Sequence, residues 1–249
     1  MRRQPGSAIR SFTAAYLAGL ALPALLMFAV ATAAAVTISP IMVELTPQKR
    51  IATIRLLNDS TEAMTFQAET LAWRQVAGAD HYAQTQELLV APTVVQIAPG
   101  ASQIFRVTLR KPAVTDAELA YRLVLEDVTA DLVQQPGTLK LRFRHNLPLF
   151  VTPRQLAAVN SQWRRCTAPA NQACIQLDNQ GNRHVRLSGV VVEGSDWRKE
   201  IPGSATVLAG ASRQWVFELG SGQSAALRVI ATSGSGDILK AVELPGPVS

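Results

Sequence analysis

Few residues in this chain have the type and spacing that chemistry requires. The three histidines, His81, His145 and His184, each stand apart from other metal-ligating side chains. Nothing matches a zinc-ligand cluster, a glycine-rich phosphate loop or the strained serine turn of a hydrolase. An enzyme is therefore the least supported class, and no catalytic residue, metal or cofactor is expected. Cys166 and Cys174 enclose seven residues, Thr167 to Ala173. They are read either as a disulfide pinning a hairpin in an exported protein or as two separate thiols. The segment from Leu139 to Leu149 is more informative, because Leu139, Leu141, Phe143, His145 and Leu147 share one face of a strand. Lys140, Arg142, Arg144 and Asn146 share the other. This pattern fits a core strand with a charged solvent face. It also fits a recognition edge, whose backbone pairs with another chain while alternate side chains enter its pockets.

The elements that position these residues are short and β-rich. Ile51 to Leu57 ends in Asn58-Asp59-Ser60, and Met64 to Trp73 precedes Ala77-Gly78-Ala79-Asp80. Val94 to Ile97 runs into Pro99-Gly100, and in Gln103 to Leu109 the residues Phe105, Val107 and Leu109 alternate with Ile104, Arg106 and Thr108. Tyr121 to Leu125 and Leu139 to Val151 add two more strands. After Pro153, which suits a strand end because it lacks a ladder donor, a second series follows. It comprises Cys174 to Leu177, Val185 to Val190, Gln214 to Leu219, Ala226 to Ile230 and Leu239 to Leu244. Long helical periodicity is absent, so the expected fold is all-β, with two β-sandwich domains at 36–152 and 153–249.

Charge at first points to nucleic acid, with 24 Lys and Arg against 18 Asp and Glu. Three of those cations, Arg2, Arg3 and Arg10, belong to residues 1–35, which also hold an apolar run from Leu17 to Val30 and the small-residue tract Ala31 to Ala35. This order is that of a secretory signal peptide; an uncleaved anchor is the alternative, for which the apolar run is short. Removing three of 24 cations leaves 21 against 18, a net charge of +3. With no base-reading module and an export signal, nucleic-acid binding is not expected.

Several landmarks in order resemble the PapD-like periplasmic pilus or fimbrial assembly chaperones. They are Ile38-Ser39-Pro40, Leu57-Asn58, Trp73, Val90-Ala91-Pro92, Ile97-Ala98-Pro99-Gly100, Gln103, Arg106-Val107, Asp116-Ala117-Glu118 with Tyr121, and Leu147-Pro148-Leu149-Phe150-Val151. Asn179-x-Gly181 with His184-Val185-Arg186, and Val207-Leu208-Ala209-Gly210 with Trp215, extend the resemblance into the second half. The Leu147 to Phe150 ending looks more like the archaic or spore-coat-type branch.

The resemblance implies two immunoglobulin-like domains and a periplasmic chaperone that lends a strand to incomplete pilus, fimbrial or spore-coat-like subunits. It then delivers them to an outer-membrane usher. It also implies Leu139, Leu141 and Phe143 as the lent residues. A structural or adhesive β-sandwich component of a surface assembly is the alternative. The chain departs from the best-known branch at its carboxylate anchor: the first-strand arginine position is Met42, and the lysine position is Asn146 or Pro148. Arg106 and Arg144 are the expected replacements, with Lys140 or Arg142 as lesser contributors. Glu118 matches an acidic residue that supports the interdomain arrangement, although its usual arginine partner is Thr152 here.

Overall fold

A computed structural model describes residues 36–110, 115–129, 142–155, 158, 160–169, 171–220, 226–233 and 238–245. The expected leader at 1–35, and Leu139, Lys140 and Leu141 of the expected lent strand, lie outside these residues.

The first ten strands are β1 Val36–Ser39, β2 Val43–Leu45, β3 Ile51–Asn58, β4 Met64–Val76, β5 Ala79–Gln84, β6 Leu88–Ala91, β7 Val94–Ile97, β8 Ser102–Leu109, β9 Leu119–Asp127 and β10 Arg144–Val151. They form two facing sheets, one ordered β1-β3-β8-β6 and the other β2-β10-β9-β4-β5 with β7 on β4. The alternation in β8 dictates its role. Phe105, Val107 and Leu109 are buried, whereas Ile104 and Arg106 face outward. Ile54 and Leu56 of β3 meet Phe66, Leu123, Leu125 and Leu149 from the opposite sheet in one core.

Eight further strands are β11 Ser161–Cys166, β12 Gln172–Asn179, β13 Val185–Glu193, β14 Arg198–Ile201, β15 Ala205–Val207, β16 Ser212–Glu218, β17 Leu227–Ser233 and β18 Ile238–Leu244. One sheet runs β11-β12-β16 and its partner β14-β13-β17-β18, with β15 on β13. A second core, including Trp163, Ile175, Leu177, Val192 and Val229, lies between them. The fold is thus all-β with two sandwiches, and among the described residues no strand pairing joins one to the other. Cys166 and Cys174 are direct partners across β11 and β12 and form a disulfide.

Each sandwich contains a buried asparagine that collects loop carbonyls. Asn58 donates Nδ2 to the carbonyls of Glu62 and Ile97, and its Oδ1 accepts the Ser60 amide. Asn179 donates Nδ2 to Arg183, Val207 and Leu208 carbonyls, and its Oδ1 accepts the Gly181 amide. Both residues are essentially sealed from solvent, so these bonds replace those that water supplied in the unfolded chain.

Two features differ from the expected strands. β4 continues past Trp73 to Val76, and Ala79 and Asp80 begin β5 instead of ending a loop. The connection is a two-residue turn with positive φ at Ala77 and at Gly78, the geometry that matches the twist of paired strands. β5 is exposed at every position, so it carries no apolar alternation for a sequence pattern to reveal. Of the strand expected from Leu139, the described part begins at Arg144; Phe143 lies just before it, and its carbonyl still accepts the Asp127 amide at 2.9 Å.

Candidate functional site

The outer face of the sheet holding β4, β9 and β10 leads into a cleft against the second sandwich. Strand alternation puts Trp73 of β4, Arg122 of β9, and Pro148 and Phe150 of β10 on this face, with Arg122 directly opposite Pro148. Trp73 and Phe150 are buried with Leu208 of the second sandwich, and Met42 packs against them. Their ring centroids are 6.0 Å apart.

Polar contacts continue this apolar joint. Gln75 Nε2 donates to the Thr206 carbonyl at 2.8 Å, and its Oε1 accepts the Leu208 amide at 2.9 Å. The Glu118 carboxylate accepts the His184 amide at 2.9 Å and lies 2.6 Å from His184 Nδ1. His184 also stacks on Phe150 with centroids 3.8 Å apart. Arg183 reaches Glu44 at 2.5 Å and Glu118 at 3.7 Å. Glu118, expected as interdomain support, therefore meets His184 and Arg183.

The resulting cavity measures about 290 Å³, and Met42, Trp73, Asp80, Arg122, Arg186 and Arg213 are among its lining residues. Arg122 lies over the Trp73 ring at 3.7 Å, and its Nε is buried without a hydrogen-bond partner. Burial lowers the pKa of Arg122 from its ordinary value, while Tyr82 and then Asp80 oppose that shift. Planar guanidinium groups in a partly dry cleft are suited to a carboxylate, which can accept two parallel N–H bonds.

The expected anchors are not brought together. Arg106 faces outward from the opposite sheet, beside Thr53 and Ala91 in register. Arg144 shares the outer face that leads to the cleft, but four residues before Pro148, about 13 Å along the strand. It pairs with Glu69 at 3.0 Å and with Glu126 at 3.3 Å. Phe143 is 37% exposed beside His145, with the rings stacked at 6.2 Å. Met42 and Pro148 line the cleft, whereas Asn146, the other candidate for the lysine position, is not among its lining residues, and the cations of the cleft come from Arg122, Arg186 and Arg213. Arg122 had one sequence signal, a lone charge within the apolar run Tyr121 to Leu125. Arg186 was marked only as part of the His184-Val185-Arg186 landmark and Arg213 had no signal, and both enter the cleft from the other sandwich.

The site is thus a cleft lined by Arg122, Arg186 and Arg213 beside two β-sandwiches, with β10 starting just after the exposed Phe143 and ending at the cleft. Residues 35–157 match the profile for the pili and flagellar-assembly chaperone, PapD N-terminal domain. Residues 35–157 are thus a member of this PapD-like N-terminal domain family. Among curated proteins none matches.

Solved structures share the fold at low identity. The complex of CsuC with the tip adhesion subunit CsuE, from the archaic Csu pili of Acinetobacter baumannii, matches with a TM-score of 0.67 and 19% identity. The match covers 85% of this chain and 98% of that one. The CupB2 chaperone of Pseudomonas aeruginosa matches with a TM-score of 0.56 and 20% identity, covering 85% and 100%. The Salmonella enterica SafA pilin complex with the SafB chaperone matches with a TM-score of 0.59 and 16% identity, covering 86% and 97%.

Proposed function

We propose that this chain is a periplasmic chaperone that caps pilus or fimbrial subunits by lending them a strand and passes them to an outer-membrane usher. The observation that carries the reading is the geometry of β10. Its inward row is buried at Leu149 and Leu147, partly exposed at His145 and 37% exposed at Phe143, so the row emerges from its own core toward residues able to serve a partner. β2 pairs only with Leu149 to Val151, which leaves the β2 side of Arg144 to Pro148 without a described strand.

A subunit segment paired along this stretch gains backbone hydrogen bonds there and covers Phe143. If its terminal carboxylate reaches the cleft, it runs parallel to β10. Arg122, Arg186 and Arg213 are then the anchor. Arg106 and Arg144 fit less well, since the former is on the other sheet and the latter is already paired with two carboxylates. Leu139 and Leu141 extend the lent row as the sequence pattern proposes. Binding of this kind needs no cofactor or catalytic step, and the disulfide suits an oxidising compartment.

Co-production with an exported pilus subunit tests the reading. A soluble one-to-one complex that protects the subunit from proteolysis is expected. Equal subunit degradation with and without the chain, or polymerisation of the isolated chain, contradicts it.

A further inference from the structure

Among its arginines the cleft carries one carboxylate, Asp80. Asp80 Oδ1 accepts Trp73 Nε1 at 2.9 Å and Gln75 Nε2 at 2.8 Å. Its other oxygen, Oδ2, lies 3.9 Å from Arg213. We propose that Asp80 is a positioning residue of the carboxylate site: it fixes the Trp73 platform beneath Arg122 and holds Arg213 until an incoming carboxylate displaces it. This inference rests on the cleft being the anchor for a subunit terminus.

The two oxygens have separable roles. Oδ1 takes two neutral donors, and one of them fixes the indole whose face lies against Arg122. The other donor, Gln75, is also bound to Thr206 and Leu208, so Asp80 is tied to the edge of the second sandwich. The turn before β5 lies beside the backbone of β16: a Cβ on Gly78 would stand 3.8 Å from the Gln214 amide, an ordinary contact distance, next to Arg213.

Oδ2 makes the weaker contact. Its separation from Arg213 is at the far limit of an ion pair, well beyond the roughly 2.7 to 2.9 Å of a charge-assisted N–H to oxygen bond. Both side chains are about one-third exposed, so water screens the attraction. A terminal carboxylate that offers two oxygens to the guanidinium makes a better partner than this distant single oxygen. Asp80 also offsets part of the positive charge of the cleft, which lowers affinity for any anion that does not complete such a fork. It is thus both a support and a competitor, and substitution can separate the two.

The test uses the full chain and a synthetic peptide of about 15 residues with alternating apolar side chains, made as the free acid and as the C-terminal amide. Calorimetry at low salt measures both forms against wild type, Asp80→Asn and Asp80→Ala. The asparagine keeps an acceptor for Trp73 and Gln75 but removes the charge. It is expected to raise the acid-over-amide preference about fivefold, the upper range for a partly exposed ion pair. The alanine removes charge and support together and is expected to bring the preference below that of wild type. A purely structural role leaves the asparagine variant at the wild-type preference and lowers only that of the alanine variant. Should the asparagine variant not fold, Asp80→Ser, which retains a hydroxyl acceptor, carries the same comparison.

An unchanged or reduced preference in the folded asparagine or serine variant, with wild type still preferring the acid, overturns the role of Asp80 and leaves the anchor reading standing. Equal binding of acid and amide by wild type overturns the anchor reading and the Asp80 role with it.

Discussion

The Nδ1 of His184 lies 2.6 Å from the Glu118 carboxylate, and this contact joins the two sandwiches. The Glu118 side chain is 1% exposed and that of His184 8% exposed. Loss of either partner leaves the other buried with an unmet hydrogen-bonding group. Glu118→Ala is expected to destabilise the joint by about 3 kcal/mol. The change is read as a lower denaturant midpoint together with a wider interdomain distribution in solution scattering. His184→Asn, whose amide can still reach Glu118, is expected to retain more stability than His184→Leu. Equal losses in the two His184 variants contradict a specific hydrogen-bonding role.

Asn58 and Asn179 perform the same task in separate cores. Asn58→Ala is expected to cost about 3 kcal/mol, since it strands several buried carbonyls and amides. Its effect should fall on the first sandwich, while Asn179→Ala affects the second. Amide exchange measured separately at β8 and β16 checks this division. Uniform loss of protection across both sandwiches from either substitution contradicts it.

His145 sets a pH dependence. Burial lowers its pKa from the ordinary histidine value, and its Nε2 is buried without a partner. The native chain therefore favours the neutral imidazole, and the unfolded chain takes up a proton first as pH falls. Stability is lost as pH drops through the ordinary histidine range, about 6.5, and the loss levels off below the depressed native value. Denaturation between pH 5 and 7.5 should show this slope in wild type and a flatter one in His145→Leu. An identical slope in the variant removes His145 as its cause.

Arg144 is a surface ion-pair residue in this account. Arg144→Ala is expected to change stability by no more than about 1 kcal/mol, because its partners Glu69 and Glu126 are themselves partly exposed. Arg106→Ala should behave similarly. Neither change should weaken capture of a subunit terminus as much as Arg122→Gln or Arg213→Gln. The reverse ranking in a pull-down series would return the anchor to Arg106 and Arg144.

The all-β class was legible because strands such as Gln103 to Leu109 alternate cleanly and each turn has its own punctuation. β5 was not, since an edge strand exposed on both faces has no apolar period. The two asparagines were visible as landmarks, although their bonds depend on loops distant in sequence. The cleft was the least legible part. Arg106, Arg122, Arg144 and Arg213 are the same residue type in strands, and only the registers decide which of them converge. His184 shows the same limit: it reaches Glu118 across 66 positions of chain. Thr152, at the position of the usual partner, gave no hint of that replacement.

Hydrogen exchange at the backbone amides of Arg144 to Leu147, compared between the free chain and its complex with a co-produced pilus subunit, tests the central claim most directly. The account predicts that amides on the open side of β10 exchange fast in the free chain and become strongly protected in the complex. A stable complex that leaves every one of those amides at its free rate contradicts strand lending by β10.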